Sequence, residues 1–109
     1  MGRLDYDAFR ASLDGAEPPP GLSPPVAALW WLAKDELKQG EGWEKAHAIA
    51  QSNEGEPSHD WVHALLHRIE GDHGNAAYWY RRAGRPTFLG TFDEEWQQIA
   101  GKLLGQTQD

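Results

Sequence analysis

The sequence predicts an all-α fold of about five helices, built as two antiparallel helical hairpins with an N-terminal flap helix and a C-terminal capping helix. Two observations carry that expectation. Apolar side chains recur at helical spacing through the chain, and no segment shows the strict alternation of a half-buried strand. Glycine and proline clusters then cut the periodic stretches into separate elements. At 109 residues the chain is one domain's worth of core, divided here into an N-terminal helix with a Pro-rich linker at 1–25 and a single α-helical domain at 26–109.

Taken in order, Tyr6, Phe9 and Leu13 form a short apolar stripe on a helix beginning near Leu4 or Asp5. Between Asp14 and Pro25 the chain places five of its seven prolines and two glycines, a composition that excludes a helix interior or a central strand and predicts an extended spacer. Ser23 before Pro24 is the pattern of an N-cap followed by proline in the first turn. A helix is therefore expected to about Lys38, with Val26, Leu29, Trp30, Ala33 and Leu37 inward. Trp31 falls off that stripe, and the N-terminal helix folding back is the expected cover for it.

Gly40 and Gly42 interrupt the pattern before a shorter helix from Trp43 to Ser52, which buries Trp43, Ala46, Ile49 and Ala50. Ser58 is placed to cap the next helix, whose apolar face is Trp61, Val62, Leu65, Leu66 and Ile69. On its other side stand Asp60, His63, Ala64 and His67, with Glu70 beside His63. Gly71 ends it. His73 to Ala83 follows, burying Ala76, Trp79, Tyr80 and Ala83 while Tyr78 and Arg82 point away. Gly84 and Pro86 stop this helix, and Thr91 with Glu94 forms a capping box for a final helix striped by Phe92, Trp96, Ile99 and Leu103.

A loose internal periodicity links these pieces. Setting Ala46 against Ala76, 30 residues apart, aligns GWEKAHAIAQ with HGNAAYWYRR, the order of helix, short turn and helix found in helical-repeat proteins. The run Gly71-Asp72-x-x-x-Ala76-x-x-x-Tyr80-Arg81-Arg82-Ala83 resembles the second helix of a tetratricopeptide-type repeat, and its WYRRA ending is similar to Sel1-like repeats. That resemblance covers about one repeat. It implies glycine at the interhelical turn, small residues where helices approach, and an aromatic in the groove between them. The segment DWVHALLHRIEGDHGNAAYWYRRAG also resembles a group of short bacterial proteins without an assigned activity.

Charge and composition narrow the functional classes. A formal charge of −7 argues against nucleic acid or an anionic membrane surface as partner. The absence of cysteine excludes disulfides and thiolate chemistry. The beginning MGRLDYDAF lacks the apolar run of a signal peptide, and a cytoplasmic protein is the expectation. Within residues 61–85 four arginines face only Glu70 and Asp72, so that stretch is +2 and the remainder −9.

Asp60, His63, His67, Glu70, Tyr78, Arg81 and Arg82 are therefore the expected binding surface, for a protein or peptide and for a small anion at the Arg/His patch. A homodimer seam on the same patch is a further reading. His63 and His67, four residues apart on one helical face, with His59 or Asp60 as third ligand, are the alternative: a divalent-metal or enzymatic site. His63-Ala64-Leu65-Leu66-His67 lacks the glutamate of the zinc-protease pattern. There is no phosphate loop and no nucleophile elbow, so the expectation is a protein that is not an enzyme and needs no cofactor.

Overall fold

A computed structural model describes residues 5–105, and Leu4, one of the two expected starts of the first helix, lies outside them. Among the described residues the chain forms six α-helices and no strand. They are α1 (Tyr6–Ala11), continued by a 3-10 turn at Ser12–Asp14, α2 (Pro24–Lys34), α3 (Glu41–Gln51), α4 (Pro57–Ile69), α5 (His73–Ala83) and α6 (Phe92–Gly105). Six helices stand where about five were expected. None is long and apolar enough to cross a membrane.

Local chemistry sets most of the boundaries. Asp5 caps α1 by accepting from the Ala8 amide at 2.8 Å. Asp72 caps α5 by accepting from Asn75, and Thr91 and Glu94 satisfy each other's amides at 2.8 and 3.0 Å. Glu56 rather than Ser58 caps α4, its carboxylate accepting from the His59 amide, with Pro57 in the first turn. Ser23 holds the N-cap position of α2 without a side-chain capping bond. At the other end, α4 and α5 close with a left-handed glycine, Gly71 and Gly84. In each case the next amide bonds back five residues, Asp72 to His67 and Arg85 to Tyr80.

The exit from α2 departs from the sequence expectation. The helix stops at Lys34 rather than Lys38, and Glu36 and Leu37 both take left-handed φ of 59° without being glycine. The closure is the same as at the glycine ends: Leu37 N–H bonds to Leu32 O, and Glu36 N–H to Ala33 O. Asp35 explains the early stop, because its carboxylate accepts from the Gly42 amide in the first turn of α3, where negative charge complements the helix dipole. Gly42 is required there: a Cβ would lie 2.1 Å from the carbonyl oxygen of Trp31.

α2 packs along α3 and α4 along α5, the second pair joined by only three residues. α4 is the central element, touching α2, α3, α5 and α6. Five tryptophans sit in the core, and four indole N–H groups are tied, Trp30 to Ser12 Oγ, Trp43 to Leu66 O, Trp61 to Glu95 and Trp96 to Leu29 O. Buried indoles need such partners. The N-terminal helix does fold back, but onto a different tryptophan from the expected one. Phe9 stacks on Trp96 at 5.7 Å and Tyr6 meets its edge. Trp31 instead lies half-buried beneath the Lys45 ammonium of α3, 4.1 Å from its ring centre.

One carboxylate joins three helices. Glu95 of α6 is fully buried and accepts from Tyr80 Oη of α5 at 2.6 Å and from Trp61 Nε1 of α4 at 3.3 Å. It pairs with Arg68 of α4 at 2.6 Å, and Arg68 also donates to Gly90 O just before α6. Burial, then the hydrogen bond to Glu95, raises the Tyr80 phenol above its ordinary range, so it stays a donor.

Replacing Glu95→Ala should cost about 3–5 kcal/mol in urea unfolding, since it strands a guanidinium, a phenol and an indole together; a loss under about 1 kcal/mol would show that this carboxylate does not hold α6. A glycine pair gives an opposite-signed check by thermal melting. Gly42→Ala should lower stability through its clash with Trp31, whereas Gly101→Ala, in α6 with open space around its Cβ, should raise it by about 0.5–1 kcal/mol.

Candidate functional site

The expected binding surface divides into two layers. Asp60, His63 and His67 are buried, at 0%, 2% and 7% exposure, rather than lying on an outward face. The reason is the position of α4: every residue from His59 to His67 is buried, because the side opposite its aliphatic stripe faces α3 instead of solvent. The outer layer is Tyr78, 41% exposed, with Arg81 and Arg82, both exposed on α5. Glu70 is half-buried at the end of α4.

In the inner layer the i and i+4 spacing of His63 and His67 stacks their rings 4.9 Å apart. The residue that completes the group is His47 of α3, which the sequence reading did not single out. Its Nε2 lies 3.2 Å from His63 Nε2, and its ring centre is 5.4 Å from that of His67. Each of the three imidazoles offers one nitrogen within 4.8 Å of the others. A second set within the same limit is His67, Glu70 and Asp72. Indoles flank the group: Trp43 stacks on His47 at 4.9 Å and Trp79 on His63 at 4.0 Å. The signal in the sequence was Trp43 and His47, four apart on α3 and so on one side of it.

His59 does not join this group. It begins α4, where its Nδ1 lies 2.5 Å from Glu56 Oε1, and its ring borders a separate cleft with Ser23, Pro24, Pro25, Ser58 and Leu103. The imidazole that joins His63 and His67 is His47, not His59. His67 Nδ1 is hydrogen-bonded to Glu70, which fixes its ring and leaves Nε2 as the nitrogen without that bond. Asp60 accepts from the Gly55 amide through Oδ1 at 3.1 Å. Asp60 Oδ2 and His63 Nδ1 have no hydrogen-bond partner despite burial, and they belong to residues one turn apart on α4.

Burial favours the neutral form of His63 and His47. Burial first, then His47 and His67, lowers His63 from 6.5 to about 3. Burial, then His67, also lowers His47, against the opposing carboxylates Glu44, Glu70 and Glu54. In the outer layer Arg82 donates to Tyr78 Oη at 2.8 Å and lies over the Tyr78 and Trp79 rings at 5.6 and 5.4 Å. The Tyr78 bond, ahead of more distant Asp60 and Glu54, raises Arg82. Trp79 thus touches both layers, with His63 stacked on it and the guanidinium over it. Arg85 covers Trp61 at 3.7 Å.

Compared with protein-family models, curated proteins and solved structures, the chain matches none.

The His63 shift has a definite sign. Between pH 6.5 and about 3 the unfolded chain binds a proton at His63 that the folded chain refuses, so stability falls as pH is lowered through that window. In chelator-treated protein the His63 contribution should approach 1.4 kcal/mol per pH unit, the limit for one proton. Urea titrations at successive pH values check it, and a pH-independent midpoint from 6.5 to 4.5 would contradict it.

Proposed function

We propose that the chain is a helical-repeat module of the tetratricopeptide or Sel1-like kind, which recognises a carboxylate-bearing peptide segment of another protein on the solvent side of α5. The observation that carries this reading is the position of α5. It packs along α4 alone among the helices, with a Tyr80 side-chain contact to α6, so its far side is uncovered. Tyr78, Arg81 and Arg82 fall at i, i+3 and i+4 on that side, and all three are exposed.

The chemistry of the stripe suits a carboxylate. Arg82 has spent one donor on Tyr78 and lies over two rings, so its guanidinium is already restrained. A guanidinium ordered before binding loses less entropy on forming a bidentate pair. The local balance of +2 in residues 61–85, within a chain of net −7, directs an acidic segment to this stripe rather than elsewhere. The helical pairs α2/α3 and α4/α5, whose first helices end in the same backbone hydrogen bond reaching back five residues, support the repeat reading; Asp60, His63 and His67 lie behind this surface rather than on it.

The test is a titration of the purified full chain with a fluorescein-labelled acidic peptide bearing a free C-terminal carboxylate, read by anisotropy. The expected result is salt-sensitive binding that Arg82→Gln weakens at least about tenfold, a change of about 1.4 kcal/mol or more. No binding, or equal binding by Arg82→Gln, would refute the proposal. Sedimentation separates the competing homodimer seam: a dimer dispersed by Tyr78→Ala would assign the stripe to self-association instead.

A further inference from the structure

We infer that His47, His63 and His67 form a three-histidine site for a divalent transition-metal ion of borderline softness, zinc being the representative, bound across the seam between α3 and α4. The site is independent of the peptide reading above, because it is built from α3 and α4 and needs nothing from the exposed stripe.

Geometry carries the inference. A tetrahedral zinc bound by imidazole nitrogens at 2.0–2.1 Å holds neighbouring nitrogens about 3.3 Å apart. His47 Nε2 and His63 Nε2 already stand at 3.2 Å, and a nitrogen of His67 lies within 4.8 Å of both. The ring positions are fixed before any ion arrives. Trp43 stacks on His47, Trp79 on His63, and Glu70 holds His67 through Nδ1. In the ion's absence one proton must serve two nitrogens that face each other.

The surroundings meet the other needs of such a site. A metal ligand must be a neutral imidazole, and burial keeps His63 and His47 in that form. Ligating histidines commonly give their second N–H to a carboxylate. His67 does so with Glu70. For His63 the two orphaned buried atoms are telling: Nδ1 and Asp60 Oδ2 lie on residues three apart, each without a partner. With Nε2 on the ion, His63 would carry its proton on Nδ1, and Asp60 Oδ2, one turn away on α4, is a buried acceptor still without a partner. All three donors are imidazole nitrogens, which selects zinc, copper, nickel or cobalt over magnesium and calcium. His47 is only half-buried, so the fourth position opens on its side.

The experiment is calorimetric titration of chelator-stripped full-length protein with zinc chloride, with the cobalt(II) absorption spectrum as a second reading. The expected result is one equivalent bound and an intense tetrahedral cobalt band. His47→Gln, at the half-buried ligand, should weaken zinc binding more than about a hundredfold, beyond the roughly ten- to hundredfold loss expected for Asp60→Asn in the outer shell. His59→Gln should bind as the unaltered chain does. No zinc uptake, several weak equivalents, or His47→Gln binding within a few-fold of the unaltered chain would overturn the inference. Should His47→Gln lose its helical circular dichroism, the cobalt spectrum of the unaltered chain decides: a weak octahedral spectrum overturns the site and a tetrahedral one sustains it.

Discussion

A single buried carboxylate sets the arrangement of the C-terminal half. A carboxyl group as enclosed as that of Glu95 needs hydrogen-bond partners for its oxygens, and the donors come from α4 and α5: Arg68, Trp61 and Tyr80. Each can reach only if α6 lies across the α4/α5 pair at one depth and rotation. The aliphatic contacts of Ile99 and Leu103 would tolerate a slide of α6, and this polar knot would not. Trp96, one residue on, is carried into position to tie to Leu29 O and to receive Phe9. The N-terminal helix thus depends, at one remove, on the same carboxylate.

The second constraint is the enclosure of α4. A helix surrounded by four others has no solvent face, and its polar residues must find partners inside. Its sequence pattern of aliphatics on one side and Asp60, His63 and His67 on the other is that of an amphipathic surface helix, which is why the sequence led to an outward site. Periodicity reports which residues share a side; it does not report what the polar side meets. Here it meets His47 and Trp79, and a polar stripe became an interior layer.

What was legible in the sequence had local causes. The Thr91 and Glu94 capping box, the span from His73 to Ala83, the Gly71 turn and the inward tryptophans follow from spacing and cap chemistry within a few residues. What was not legible needed distant partners. α2 ends early because Asp35 bonds to Gly42. Trp31 is covered by Lys45 rather than the first helix, and Glu95 lies in a run of three acids, FDEE, with nothing local to mark it as buried. His47 belongs to the same class. It sits 16 residues before His63, and only the packing of α3 on α4 brings the rings together.

The two helical pairs also differ in how their chain reversals are made. Gly71 takes its left-handed angles at no steric cost, so the α4/α5 corner exists as soon as its flanking helices do. Glu36 and Leu37 must both hold such angles with side chains attached, at about 1–3 kcal/mol each. That bend persists only while α2 and α3 press together at Gly42. The corner ahead of α5 is thus kept by local geometry, whereas the corner that brings His47 to α4 is kept by tertiary contact.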